Sequence, residues 1–392
     1  MISHTIARQI DGSIVEIEIK NGLISNINYP LFNENKQHSF PWVTSGLFDL
    51  QVNGALGTSF NDPFASIDGI SKAIAHCVSN GMTGILATLV TSDRESIVQS
   101  LHLLEKTRSA NKLSHDVIEG YHIEGPAISP LDGYRGAHPK EHIRVPSANE
   151  YENWLAASNN RIKLITVAPE LPGVTDWITQ LVRDGINVAI GHTAANYDQI
   201  KKAVVAGAKL STHLGNGCAS SIDRHNNPLW SQLAEDGLIT SLIIDGYHLS
   251  ETFIRTVFKC KKPGKVILTC DSSPLAGMPP GIYSLWNKNL EIDINGKVLI
   301  PNTPYLAGSG HFLNHCVGVA MNMNEWEATE IIKAASCVPR EILGMQPRQI
   351  AIGHRADLVL WEGKSFTCSK VQKVCVSGHW CQLKNETGPS FL

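Results

Sequence analysis

Between residues 43 and 271 the sequence repeats one unit: a short apolar, β-rich run, a polar loop, then in most cases a stretch whose apolar residues recur with helical period. Eight such runs occur, at 43–52, 84–91, 116–124, 162–169, 186–192, 209–214, 240–246 and 265–271. Helical patterns at 66–80, 93–108, 147–158, 174–184 and 196–206 separate most of them. Runs that are apolar throughout have no face to leave in water, and parallel neighbours need a helix-length crossover, so together the two features predict a parallel sheet covered by helices. The fold class is therefore read as α/β, a (β/α)8 TIM-type barrel. A doubly wound open sheet has the same periodicity. Six of the eight runs end in a polar or ionisable group, which favours the barrel, whose loops converge on one pocket at the strands' C-terminal ends.

Outside the repeat the texture changes. The segments 13–19 and 23–27 alternate apolar and polar residues around Asn21-Gly22, the signature of an antiparallel hairpin, and strand-like pieces return at 356–361 and 370–376. A small β-sandwich domain built from both termini is expected, with domain bounds of 1–44, 45–348 and 349–392. The Gly- and Pro-rich stretch 272–305 reads as an excursion over the barrel mouth, ahead of helices at 309–322 and 324–336. With 33 Lys and Arg against 36 Asp and Glu and no basic stripe, nucleic acid is not an expected partner. The nine cysteines are scattered without a C-x-x-C pair, which predicts reduced thiols and neither a zinc knuckle nor a disulfide framework. The N-terminus lacks an apolar leader and no later stretch is apolar for 18 residues. The expectation is a cytoplasmic protein with no membrane partner.

The third run ends in His122-Ile123-Glu124, and Gly125-Pro126 can continue neither strand nor helix, so Glu124 stands at a strand's C-terminal end. The fifth run ends in Gly191-His192-Thr193, the sixth in Thr212-His213-Leu214 and the eighth in Cys270-Asp271. One imidazole at a strand end would read more simply as a hydrogen-bonded packing residue. Two imidazoles and two carboxylates at one end of a barrel match the ligand chemistry of a divalent ion with an open position for water. His76, His225, His311, His315 and His354 have no such company and read as structural or solvated. His122 flanks Glu124 on its strand and is expected to take a packing or supporting role.

The order and spacing of Phe48-Asp49-Leu50-Gln51-Val52-Asn53-Gly54, His122-Ile123-Glu124-Gly125-Pro126, Gly136-Ala137-His138-Pro139, Val167-Ala168-Pro169-Glu170, Gly191-His192-Thr193, Thr212-His213-Leu214, Asp245-Gly246-Tyr247-His248 and Leu306-Ala307-Gly308-Ser309 resemble those of the N-acetylglucosamine-6-phosphate deacetylases, in the amidohydrolase superfamily. The resemblance runs along nearly the whole chain. It implies hydrolysis of the acetamide of N-acetylglucosamine 6-phosphate, a small-molecule amino sugar phosphate, to glucosamine 6-phosphate and acetate. Glu124, His192 and His213 would hold the metal. Asp271 would be the general base and acid, and His138 would polarise or orient the acetamido carbonyl. Arg224 and His248 would contact the sugar phosphate, while Ala137, Asn216, Gly217, Asp245, Gly246, Tyr247, Leu306, Ala307 and Gly308 would line the pocket. Many amidohydrolases carry His-x-His on the first strand and bind two ions, whereas this chain has Gln51 and Asn53, which become first-strand pocket candidates. One divalent ion is expected: zinc, with iron, manganese and cobalt as alternatives. The resemblance also implies a homodimer.

Two segments depart from that pattern. Where the family usually follows Thr-His-Leu with an aromatic residue and Asn-Ala-Met, this chain has Gly215-Asn216-Gly217-Cys218, and neither the loop 218–230 nor the stretch 272–305 matches. The alternatives are therefore a deacetylase for a related sugar such as N-acetylgalactosamine 6-phosphate, a hydrolase of N-acyl amino acids or cyclic amides, and a non-catalytic sugar-phosphate-binding protein.

Overall fold

The computed structural model describes residues 2–32, 39–285, 288–303, 305–382 and 390–391, so parts of both terminal units and of the excursion lie outside it. The repeats fold as eight parallel strands, Leu47–Val52, Met82–Val90, Ile118–Glu124, Ile162–Val167, Asn187–Ile190, Leu210–Ser211, Ile239–Ile243 and Val266–Thr269, hydrogen-bonded in chain order. Helices Ile67–Ser79, Arg94–Ala110, Ala148–Ala157, Val174–Arg183 and Tyr197–Val205 occupy the expected crossovers, and Pro228–Ala234 and Glu251–Cys260 follow the sixth and seventh strands. Most of these helix starts are written locally. Ser66, Asp93, Ser147 and Ser250 accept first-turn N–H groups, and Asn196 with Gln199 forms a reciprocal capping box.

A side chain closes the ring. Between the first and eighth strands, Asp49 Oδ1 accepts from Gln51 N at 2.9 Å and from Thr269 Oγ1, while Oδ2 accepts from Cys270 N at 2.8 Å. One residue on, Val52 bridges Ser272, and Asn53 N donates to Ser272 O at 3.0 Å. Burial pushes the Asp49 carboxyl up from its ordinary value despite these donors. Inside the barrel Phe48, Leu50, Leu86, Leu164, Ala189, Leu210 and Ile267 pack in one cluster, which Val338 and Leu343 join from a C-terminal helical segment. Above this apolar layer Glu124, His192 and His213 gather at the C-terminal mouth of the barrel.

The expected strand 43–52 divides into two. Trp42–Ser45 pairs with the termini, parallel to Ile2–Arg8 and antiparallel to Leu358–Glu362, and only Leu47–Val52 enters the barrel. The terminal strands make one eight-stranded sheet in the order 390–391, 379–382, 370–376, 358–362, 42–45, 2–8, 14–20, 23–28. Its predicted hairpin turns at Asn21 (φ 53°) and Gly22 (φ 81°), the left-handed pair that suits the twist of the flanking strands. The excursion holds more structure than expected: Gly281–Leu285, Lys288–Ile292, Lys297–Leu299 and Leu306–Ser309 form a four-stranded antiparallel sheet. It docks on the eighth strand's end through Ser309 N to Asp271 O at 2.9 Å. It also reaches across to the loop after the third strand through Lys288 Nζ to Ala137 O at 3.4 Å. Among the described residues, no helix is long and apolar enough to cross a membrane, and the eight cysteines with described side chains are free thiols.

Candidate metal centre and active site

Glu124, His192 and His213 come from the ends of three different strands and meet in one buried cluster, their ligand atoms all within 4.8 Å of one another. His213 Nε2 lies 2.9 Å and His192 Nε2 3.4 Å from Glu124 Oε1. His138, from the loop after the third strand, brings Nε2 to 3.6 Å from Oε2 of the same carboxylate. Burial alone would raise the Glu124 carboxyl, but these imidazoles hold it well below the usual range. His192 is pushed down to about 4 by burial and by His138 beside it. Burial lowers His213 as well, yet Glu124 and Asp271 outweigh that effect and its imidazole is raised. A proton on His213 and a cation thus compete for the same carboxylate.

The donor set fits a divalent ion. His192 Nδ1 lies 2.9 Å from the Tyr134 carbonyl, which accepts only, so Nδ1 carries the proton and the Nε2 lone pair faces Glu124. Gly136 and Gly217, both at positive φ, flank that ring, and a Cβ on Gly217 would sit 2.6 Å from His192 Nδ1. His213 Nδ1 is buried without a partner among the described residues. His192, His213 and Asp271 share φ values of 48°, 29° and 48°. Left-handed backbone at non-glycine residues costs about 1–3 kcal/mol each, strain that clusters where side-chain direction matters more than local stability.

The first-strand amides meet the carboxylates. Gln51 Nε2 donates to Glu124 Oε1 at 2.9 Å, and Asn53 Nδ2 donates to Asp271 Oδ1 at 2.7 Å. Burial and the nearby Glu124 charge push Asp271 up to about 7, against the opposing effects of His213, His248 and Asn53. His138 Nδ1 lies 2.8 Å from Thr91 Oγ1 and accepts from Thr91 N at 3.4 Å, which leaves the proton on Nε2. The cluster therefore offers a three-donor cation site, a carboxylate able to take a proton near neutrality, and an imidazole N–H beside them.

The residues expected to line the pocket divide into two groups. Asn216 caps the His213 carbonyl at 3.2 Å, Ala137 precedes His138, and Gly308 approaches Asp271 O so closely that a Cβ would lie 2.9 Å away. Leu306 and Ala307 lie on the same docked strand. Asp245, Tyr247 and His248 form a hydrogen-bonded turn after the seventh strand, with Gly246 at φ 87° between them. Arg224 is not drawn into the cluster: its side chain is exposed and has no hydrogen bond or ion pair among the described residues. His122 is buried, with Nδ1 3.1 Å from Leu50 O and Nε2 2.7 Å from Thr166 Oγ1; two residues before Glu124 it shares that residue's face of the strand and braces the first and fourth strands beneath the cluster.

Several contributors received no role in the sequence reading. Thr91 fixes His138, the Tyr134 carbonyl fixes His192, and Glu170 accepts Ala194 N at 2.8 Å and the Thr193 hydroxyl just beyond His192. Ser309 bonds Asp245. His311 and His315 are structural, as expected, but at the site itself: they stack at 3.8 Å, and His315 Nε2 lies 3.1 Å from Asp245 O. Only their i, i+4 spacing beside Leu306-Ala307-Gly308-Ser309 could have drawn notice.

Comparison with known proteins agrees with this geometry. The Amidohydrolase family matches residues 42–381. An N-acetylglucosamine-6-phosphate deacetylase of Vibrio furnissii is 30% identical over 319 residues, 80% of this chain and 77% of that one. That of Bacillus subtilis is 28% identical over 369 residues, covering 92% and 91%. Among solved structures, a mutant N-acetyl-D-glucosamine-6-phosphate deacetylase from Mycobacterium smegmatis in complex with N-acetyl-D-glucosamine-6-phosphate superposes with a TM-score of 0.85 at 26% identity, covering 96% and 99%. The Thermotoga maritima N-acetylglucosamine-6-phosphate deacetylase gives 0.82 at 27% identity, covering 97% and 99%.

Proposed function

The chain belongs to the amidohydrolase family and, within it, to the N-acetylglucosamine-6-phosphate deacetylases, and from that premise we propose that it hydrolyses the acetamide of N-acetylglucosamine 6-phosphate to glucosamine 6-phosphate and acetate. The observation that carries this reading is the buried Glu124, His192 and His213 cluster, with Asp271 and His138 beside it. A divalent ion held by those three residues would supply Lewis acidity, acidifying water and polarising the amide carbonyl. Asp271, held by Asn53, accepts the proton of the attacking water and returns it to the leaving nitrogen. His138, its Nε2 protonated through the contact with Thr91, donates to the carbonyl oxygen as charge develops there. Asn216, Gly217, His248 and the strand bearing Leu306, Ala307 and Gly308 bound the sugar, and the unpaired Arg224 supplies a cation for the phosphate.

We assign one ion, zinc, because two imidazoles and a carboxylate suit its tetrahedral preference, and because Gln51 and Asn53 already serve Glu124 and Asp271. We place the catalytic domain at 45–348 between terminal parts 1–44 and 349–392, in a cytoplasmic homodimer. Metal analysis coupled to acetate release tests the reading. The substrates would be N-acetylglucosamine 6-phosphate, its galacto epimer, the unphosphorylated sugar and an N-acetyl amino acid. About one metal per chain and fastest release from N-acetylglucosamine 6-phosphate are expected. Release favouring the amino acid, or none with metal bound, refutes the assignment.

A further inference from the structure

The turn after the seventh barrel strand carries a buried carboxylate that the deacetylation scheme leaves without a task. Asp245 is 2% exposed, and all its lone pairs are engaged. Oδ1 accepts from Tyr247 N at 2.9 Å and His248 N at 3.0 Å, while Oδ2 accepts from His248 Nδ1 at 2.7 Å and Ser309 Oγ at 2.8 Å. Burial alone would raise this carboxyl, but His248 and the two backbone N–H groups hold it far below the usual range, so it is ionised and accepts only. His248 must then carry a proton on Nδ1. Its Nε2 is left without a protein partner among the described residues.

The turn itself is braced. His315 Nε2 meets the Asp245 carbonyl at 3.1 Å, His311 stacks on His315, and Tyr247 stacks on His311 at 5.8 Å. Ser309 belongs to the strand whose N–H bonds the Asp271 carbonyl, so the hydroxyl that holds Asp245 is rigidly linked to the turn bearing the proposed base. We propose that Asp245 and Ser309 are positioning residues that hold His248 by its Nδ1–H, so that in the imidazolium form its Nε2–H donates to the substrate's anionic group, in register with Asp271. This inference rests on the reading of the substrate as an anionic N-acetyl sugar.

The test is a double-mutant cycle on the metal-loaded enzyme, using phosphorylated and unphosphorylated N-acetylglucosamine. Losing a hydrogen bond between charged groups predicts that Asp245→Asn raises KM for the phosphorylated sugar about 10- to 100-fold with kcat within about 3-fold, and that Ser309→Ala raises it about 3- to 10-fold. KM for the unphosphorylated sugar should change by less than about 2-fold, and in a His248→Gln background either substitution should add less than about 2-fold. Effects that multiply with His248→Gln, or equal rises in KM for both sugars, overturn the proposal. Should Asp245→Asn lose its metal or its circular-dichroism signature, the cycle of Ser309→Ala with His248→Gln decides alone. A wild type that releases acetate without preferring the phosphorylated sugar refutes the substrate reading instead, and non-additivity measured on its preferred amide still decides the dyad.

Discussion

At the residue scale the cluster separates groups that hold a cation from groups that move protons. Glu124, His192 and His213 are the three residues whose ligand atoms meet in one centre, so replacing any of them by Ala should abolish metal and activity together. Stoichiometric metal in all three purified variants would falsify the ligand set. Asp271 differs, since it bonds Asn53 and not the imidazoles. Asp271→Asn should keep the metal and bind substrate while kcat falls by about 10²- to 10⁴-fold. The base works deprotonated, so activity should fall as pH drops through its pKa. A bound dication opposes the burial and the Glu124 charge that push Asp271 up, placing that acidic limb below about pH 7. Unchanged kcat in Asp271→Asn, or a limb that persists in its residual activity, would show that another group is the base.

At the element scale the barrel's seam depends on one side chain. Asp49→Ala strips acceptors from Cys270 N, Thr269 Oγ1 and Gln51 N inside the core, and each abandoned donor costs about 1–3 kcal/mol. The variant should lose about 3 kcal/mol or more, and Asn53 should drift from Asp271, lowering kcat as well. Denaturant unfolding measures the first effect, and a loss under about 1 kcal/mol would mean the backbone bridges at Val52 and Asn53 suffice. The strands and most crossover helices were legible in sequence, because apolar runs and capping residues such as Ser66 and Asp93 act locally. The division of 43–52 was not, since Val43 and Phe48 are equally apolar and only the partner sheets distinguish them. The excursion's four strands also stayed hidden: they pair with their neighbours in sequence, but the Gly and Pro residues around them read as loop.

At the scale of the whole molecule, stability is linked to protons and metal. Glu105, Asp116 and Asp245 are each raised by burial but lowered more by donors and cations, for a net depression below their ordinary values. A carboxyl whose folded pKa is depressed contributes stability that is present above the unfolded pKa, about 4, and lost as pH falls toward the folded value. The depressed carboxyls alone would leave Tm level down to about pH 5. His192, held at about 4 by burial, subtracts stability below about pH 6.5, so Tm should decline on acidification and the chain should unfold progressively below about pH 4. A metal that binds only the folded chain should raise Tm, and chelation should lower it. Identical melting curves at pH 7 and pH 3.5, or before and after chelation, contradict these two linkages in turn.

The barrel is joined to the terminal sheet by a largely buried ion network. Glu119 pairs with Arg340 and Arg348 at 2.7 Å, and Arg348 continues to Asp357 at 2.6 Å. None of these pairs could be read from spacing, because the partners lie more than two hundred residues apart or on opposite sides of a turn. Parallel strands with crossover helices, the strand-end positions of Glu124, His192, His213 and Asp271, and the two-ended β unit follow from periodicity and chain-breaking residues, which are local properties of the sequence by itself, while the polar strand ends favoured a barrel over an open sheet. Tertiary structure alone decided which atoms face one another: Gln51 on Glu124, Asn53 on Asp271, Ser309 on Asp245, and an Arg224 left in solvent. Side-chain contact across a closed ring depends on its register and twist, to which every strand contributes and which no single segment encodes.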